Sequence, residues 1–284
     1  MTHSTLVDDY QDWVGREEKR EAMIAEPVVQ AMAAALDLDS APQSGEALPC
    51  GWQWLFFNPS VRRSGLGEDG HPARGGFLPP VALPRRMWAG SRISYLANIP
   101  VGAEAVRHSR ILKVQNKEGS RGSLCFVTVE HTLSHGETVC VVEEQDIVYR
   151  DATPPGAPAP TPKPHEIEPQ WSQAFVADST LLFRYSALTF NGHRIHYDQS
   201  YAQNEEGYPD LVVHGPLTAT LLQQFAIDHA EGRQLKQFDF RGVAPLIVNR
   251  PFKLEGRRGD GDTLEVWARG PQGELAMSAT ARFE

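Results

Sequence analysis

Seven of the 20 residues from 151 to 170 are proline. Proline lacks a backbone donor and fixes its own φ, so such a stretch neither joins the middle of a sheet nor continues a helix, and runs extended across a surface. The chain is therefore expected to form two units, residues 1–150 and 171–284, with a linker at 151–170. A chain of 284 residues can bury a substantial core without disulfides or metals. The three cysteines, Cys50, Cys125 and Cys140, are scattered, odd in number and form no Cys-x-x-Cys pair. That suits buried thiols in a reducing compartment better than a disulfide framework.

Both halves read as a helical part followed by antiparallel strands, an α+β duplication. In the first, apolar residues at Trp13, Met23, Val28, Met32 and Leu36 predict a helical segment over 8–36, with Pro27 opening a second helix. The aromatic run at 52–57 predicts a strand, and 58–89 a long loop. Four strands are expected at 91–99, 105–115, 123–133 and 138–148, the third showing clear alternation. In the second half a strand at 174–185 is expected to lead into an irregular segment, 186–210, and then a helix at 216–230. Leu217, Leu221, Leu222 and Phe225 form the apolar face of that helix, and Pro216 suits its first turn. Strands at 237–243, 263–269 and 274–283 close the chain.

Charge narrows the partners. Lys and Arg number 27 against 36 Asp and Glu, a net charge of −9. A general binder of nucleic acid or anionic membrane is normally basic, so neither is expected as a partner. No run approaches the length of a membrane span, and the polar, acidic start has no basic stretch followed by an apolar one. A cytoplasmic location is the expectation.

The densest polar cluster runs from Tyr185 to Asp198 and holds Asn191, His193 and His196 within six residues. Imidazole exchanges protons near neutral pH, and an amide holds a water through both donor and acceptor. Zinc on His193, His196 and Asp198 is the rival reading; their spacing on a loop fixes no shared face and no cysteine lies near, so no metal is expected. Val213-His-Gly-Pro-Leu-Thr218 puts Gly215 at a helix start, where free N–H groups favour a developing oxyanion. A third segment joins Gly65-Leu-Gly-Glu-Asp-Gly-His71 to Arg85-Arg-Met-Trp-Ala-Gly90; it has no phosphate-loop frame, but its arginines suit a carboxylate or phosphate. No Gly-x-Ser-x-Gly elbow is present.

Asn191-Gly-His-Arg-Ile-His-Tyr-Asp198, followed by Tyr201-Ala and His214-Gly215, resembles the catalytic pattern of MaoC-like hydratases and dehydratases. That pattern is Asp-x-Asn-Pro-Ile-His-x-Asp, then His-Gly opening the central helix. The family's Asp falls on Asn191 and its Asn on His193, so the usual carboxylate base is missing. With Leu78-Pro-Pro and Pro84-Arg-Arg-Met-Trp-Ala-Gly90, the segment looks like the branch of mesaconyl-C4-CoA and itaconyl-CoA hydratases and related 3-hydroxyacyl-thioester dehydratases. The resemblance spans roughly residues 45–284. It implies a double hotdog fold, two antiparallel sheets each wrapped around a central helix, with a degenerate, substrate-binding first unit.

It implies a hydro-lyase that adds water reversibly to an enoyl-CoA, with no cofactor beyond the CoA of the substrate. His196 is then the proton-transfer residue, Asn191 orients the water, and His193 is a second candidate or orients His196. The Gly215 N–H is the oxyanion donor. A side carboxylate on a C5-dicarboxyl substrate would be held by Arg85 and Arg86, beside Trp88, or by Arg184 and Arg194. The alternatives are an (R)-3-hydroxyacyl-thioester dehydratase of broader chain length and a catalytically silent acyl-CoA-binding hotdog protein. A homodimer is preferred over a monomer.

Overall fold

The computed structural model describes residues 10–119, 122–152 and 164–284. The prolines at 154, 155, 158, 160 and 162 lie outside the described residues. Ten strands form one antiparallel sheet in the order β1-β3-β4-β5-β2-β7-β10-β9-β8-β6. The strands are β1 (Glu17–Met23), β2 (Arg85–Tyr95), β3 (Glu104–Gly119), β4 (Gly122–His135), β5 (Thr138–Arg150), β6 (Trp171–Phe175), β7 (Leu235–Gly242), β8 (Phe252–Arg258), β9 (Thr263–Arg269) and β10 (Leu275–Phe283). Read outward from the middle, the two halves have the same plan. β2, β5, β4, β3 and β1 on one side match β7, β10, β9, β8 and β6 on the other.

The halves join where β2 pairs with β7, from Gly90 opposite Arg241 to Ser94 opposite Gln237. Close approach there requires glycine. The register of β2 against β5 shifts between Trp88 and Gly90, and a Cβ on Gly90 would collide with the Phe240 carbonyl. Trp54, Trp88 and Phe240 pack around this seam, with Trp54 edge-on to Trp88 at 5.0 Å. The main core, which includes Ile93, Leu133, Leu222, Phe225 and Phe238, runs through both halves.

The helices are α1 (Glu26–Ala35), α2 (Ser179–Leu188), α3 (Gln199–Asn204) and α4 (Gly215–Asp228). α4 buries residues all round its first turns, including Leu217, Thr218, Ala219, Leu221, Leu222 and Phe225. Burial on every side marks a central helix rather than a surface one. It packs on β7, β8, β9 and β10. At the corresponding point of the first half, between α1 and β2, stand two short 3-10 turns, Trp52–Leu55, entered through Gly51 at φ 83, and Arg63–Gly65. The first half thus lacks a full central helix among the described residues, and part of its sheet faces a cavity instead.

Several elements differ from the sequence expectation. Of the predicted first helical segment, Tyr10–Trp13 form a 3-10 turn, Glu17–Met23 are the edge strand β1 with alternate residues exposed, and the helix covers only 26–35, opened by Pro27 as expected. The aromatic run at 52–57 is the 3-10 turn rather than a strand. Residues 174–185 divide into the end of β6 and most of α2, because the Asp178 side chain caps the Leu181 N–H at 2.7 Å and starts a helix. β8 was not anticipated. The end of the linker is tied to the second half, Arg269 donating to the carbonyls of His165 at 2.6 Å and Ile167 at 2.7 Å. Among the described residues, no helix is long and apolar enough to cross a membrane.

Candidate active site

The loop after α2 is shaped by how that helix ends. Phe190 takes φ 49, its N–H reaches the Ala187 carbonyl at 3.2 Å, and the Asn191 N–H reaches Ser186 at 2.8 Å. This paired pattern is a Schellman ending, and it turns the chain so that Asn191 leads the loop. The Asn191 Oδ1 accepts from the His193 N–H at 3.0 Å, an Asx turn that leads into the 3-10 turn Arg194–His196. Asp198 then caps α3 through the Tyr201 N–H at 3.0 Å and takes the Arg194 guanidinium.

His196 is 8% exposed, and its Nδ1 lies 2.7 Å from the Val212 carbonyl. A carbonyl only accepts, so Nδ1 carries the proton and Nε2 is left with its lone pair. The ring stacks on His214 at 3.7 Å and meets His193 edge-on at 5.4 Å. His193 in turn lies 4.1 Å from the ring of His71, which comes from the first half. Four imidazoles therefore run from the first-half loop to the start of α4.

Burial keeps these rings neutral. It lowers His196 to about 4, with the Val212 carbonyl opposing. Burial, then the neighbouring His71 and His196, lower His193 to about 2. His214 lies well below the usual 6.5 for the same first reason, and burial also lowers His71 against the pull of Asp69. Burial would raise the Asp69 carboxyl, but His71 and the charge of Arg86 hold it well below the carboxylate range.

These directions fix a pH dependence of stability. Below pH 6.5 the unfolded chain takes up protons that the buried rings refuse, so stability falls with pH by about 1.4 kcal/mol per unit for each such histidine. For His196 that window closes near pH 4. Denaturant midpoints are expected to fall steeply from pH 6.5 to pH 5; a flat profile would show that the folded rings protonate freely.

Gly215 opens α4, with His214 as its cap. The Gly215 N–H has no hydrogen-bond acceptor among the described residues, and a Cβ there would meet nothing within 4 Å. Pro216 follows, so Gly215 offers the first amide of the helix to open space, where the helix dipole favours negative charge.

A cavity of about 1140 Å³ borders this arrangement. His71, Asn191, Gly192 and Pro216 line it, as do Arg86, Trp88 and Tyr149 of the first half. His193, His196 and Gly215 are not among its lining residues; each adjoins one that is. The wall from the first half is the odd-numbered face of β4 and β5, including Val129, His131, Glu143 and Ile147.

Of the four arginines expected at the substrate, only Arg86 lines the cavity. Arg85 pairs with Glu206 and the Glu205 carbonyl. Arg184 is exposed and points to the Ala34 carbonyl at 3.5 Å. Arg194 is held by Asp198, the Glu68 carbonyl and the Tyr201 ring. The structure thus places these three guanidiniums away from the cavity lining, each on a partner within the protein. His71 was missed as a site residue because 120 positions separate it from Asn191. Its local signal was the Asp69-Gly-His71 turn.

Comparison with known proteins agrees with this geometry. The profile of the family Hydroxyacyl-thioester dehydratase type 2 matches residues 51–248. The mesaconyl-C(4)-CoA hydratase of Chloroflexus aurantiacus is 47% identical over 281 residues, 97% of this chain and 98% of that protein. The mitochondrial hydroxyacyl-thioester dehydratase type 2 of Schizosaccharomyces pombe is 28% identical over 73% of this chain and 77% of its own. For the fold alone, HtdX of Mycobacterium tuberculosis superposes with a TM-score of 0.69 at 20% identity, covering 95% of this chain and all of that one. A second Mycobacterium tuberculosis protein, described as a double hotdog, gives 0.60 at 12% identity over 95% of this chain and 96% of its own. The chain belongs to the hydroxyacyl-thioester dehydratase type 2 family, hydro-lyases built on the double hotdog fold.

Proposed function

We propose that the protein hydrates a short C5-dicarboxyl enoyl-CoA, with mesaconyl-C4-CoA giving citramalyl-CoA as the first substrate to test and itaconyl-CoA as the second. The similarity over nearly the whole chain to a mesaconyl-C(4)-CoA hydratase supports the substrate class. The observation that carries it is Arg86, the one expected arginine on the cavity wall, whose charge acts on Asp69, His71 and His193. A substrate carboxylate beside the reacting carbon needs a cation at that place.

The oxygen of water bonds to the β-carbon as its proton passes to Nε2 of His196. The π electrons move toward the thioester, and the Gly215 N–H takes the charge that develops on its oxygen. The proton that water gives up is balanced by one added at the α-carbon. CoA enters as part of the substrate, and the steps call for no further cofactor. Itaconyl-CoA carries its double bond one carbon further out, so its hydration needs a proton at the terminal methylene or a prior isomerisation.

A broader dehydratase acting on longer 3-hydroxyacyl thioesters is favoured by one observation, a cavity larger than a five-carbon acyl group fills. Loss of enoyl absorbance on mesaconyl-C4-, crotonyl- and octenoyl-CoA, with the mass gain of water followed for itaconyl-CoA, separates the two readings. Arg86→Gln is expected to lower kcat/KM on mesaconyl-C4-CoA about 10- to 100-fold, the size of a lost hydrogen bond to a charged group, and to leave crotonyl-CoA nearly unchanged. Equal losses on both esters would remove Arg86 as the carboxylate ligand.

A further inference from the structure

We infer that Asp69 and His71, carried by a loop of the first half, form the second proton-transfer group of the site and fill the role that Asn191 cannot. The inference rests on the hydratase reading and extends it.

An amide is no base, and the Asn191 Oδ1 is already occupied by the His193 N–H. His196 accounts for the proton of water. The proton at the α-carbon needs a group that reaches the cavity, and His71 lines it beside Asn191 and Gly192. Two further proton-exchanging side chains of the cavity, His131 and Glu143, are engaged elsewhere. His131 lies between Ser109 and Gln145, and Glu143 accepts from Trp54 and Ser91.

His71 is also built for the task. Its Nδ1 lies 3.1 Å from Asp69 Oδ2, and its backbone N–H reaches Asp69 Oδ1 at 3.0 Å. An ionised carboxylate accepts only, so Nδ1 carries the proton and Nε2 is the exchanging nitrogen. The carboxylate stabilises the imidazolium, as a buried Asp does beside a catalytic His. His196 has a neutral carbonyl in that position and no such support.

The loop is fixed against the catalytic loop rather than merely near it. The Arg194 N–H donates to the Asp69 carbonyl at 2.9 Å, and its guanidinium to Glu68 at 3.1 Å. Gly70, at φ 84, sits so close to Gly192 that a Cβ on it would overlap the Gly192 carbonyl; one on Gly192 would lie 2.6 Å from the Gly70 oxygen. Two glycines, one from each half, let the backbones touch and set His71 against His193.

In hydration, His71, neutral at rest, first takes a proton from solvent at Nε2; His196 Nε2 then gains the proton of water while His71 passes its Nε2 proton to the α-carbon. In dehydration, neutral His71 takes the α-proton and protonated His196 gives its proton to the departing hydroxyl. Each turnover moves one proton between the two rings, which re-equilibrate through solvent before the next. The atoms Asp69, His71 and His193 offer as ligands lie within 4.8 Å of one another, a spacing a metal ion would also accept. Both Asp69 oxygens are, however, taken by His71, and Arg86 adds positive charge.

The test compares wild type, His71→Ala and His71→Gln on mesaconyl-C4-CoA, and follows exchange of the α-hydrogen of a saturated analogue, methylsuccinyl-CoA, in D2O. Wild-type turnover establishes the hydratase reading, and its absence sinks that reading separately. With wild type active, kcat in both variants is expected to fall at least about a hundredfold, with KM and melting temperature nearly unchanged. α-Exchange is expected to vanish in both variants and to persist in His196→Asn. Added imidazole is expected to restore part of the His71→Ala rate. Hydration within tenfold of wild type, or α-exchange surviving without His71, overturns the inference. So does activity abolished by a chelator and restored by zinc.

Discussion

His196→Asn is expected to lower kcat for hydration by about 10²–10⁴, the range for loss of a positioned proton-transfer group. Asparagine is chosen over alanine because its amide can still donate to the Val212 carbonyl, which would otherwise be left unpaired at a cost of about 1–3 kcal/mol. The fold should therefore survive, and circular dichroism with a thermal melt verifies that. A folded variant retaining a tenth or more of the wild-type rate would remove His196 from the chemistry. A wild-type protein that binds acyl-CoA but turns none over would instead favour the silent acyl-CoA-binding reading.

Gly90→Val is expected to be strongly destabilising. A Cβ there meets the Phe240 carbonyl, which is backbone paired into the seam and cannot step aside as a flexible side chain would. Overpacking of this kind costs about 1–3 kcal/mol in a core, and here it also pushes β2 away from β7. Melting temperature should fall by many degrees, or the protein should fail to express in soluble form. Gly76→Ala is the control, since a Cβ at that position meets nothing within 4 Å. Equal melts for the two variants would show that the seam tolerates spreading.

The strands the sequence revealed are those with one face in the core. In β4, Cys125, Val127 and Val129 alternate with less buried neighbours, and the pattern is visible from composition alone. β1 reads Glu-Glu-Lys-Arg-Glu-Ala-Met and fully buries no residue, so its period-2 exposure leaves no apolar alternation in the sequence; Trp13 and Met23 happened to fit a helical spacing instead. In α2, Leu-Leu-Phe-Arg-Tyr looks strand-like, and only the cap at Asp178 reveals the helix. The second-half loop was legible because Asn191, His193, His196 and Gly215 lie close in sequence. The first-half contribution was not, since no local pattern says that Gly70 will rest on Gly192.

The seam also bears on what dilution does to this protein. His71 comes from one half and His196 from the other, and each would be idle if the halves separated. Because β2 and β7 belong to a single polypeptide, the two contributions meet at a fixed effective concentration rather than one set by how much protein is present. The edge of the sheet left at β1 presents charged side chains that prefer water, a poor surface for extending the sheet into another molecule. Within the described residues, a single chain brings both rings to the site.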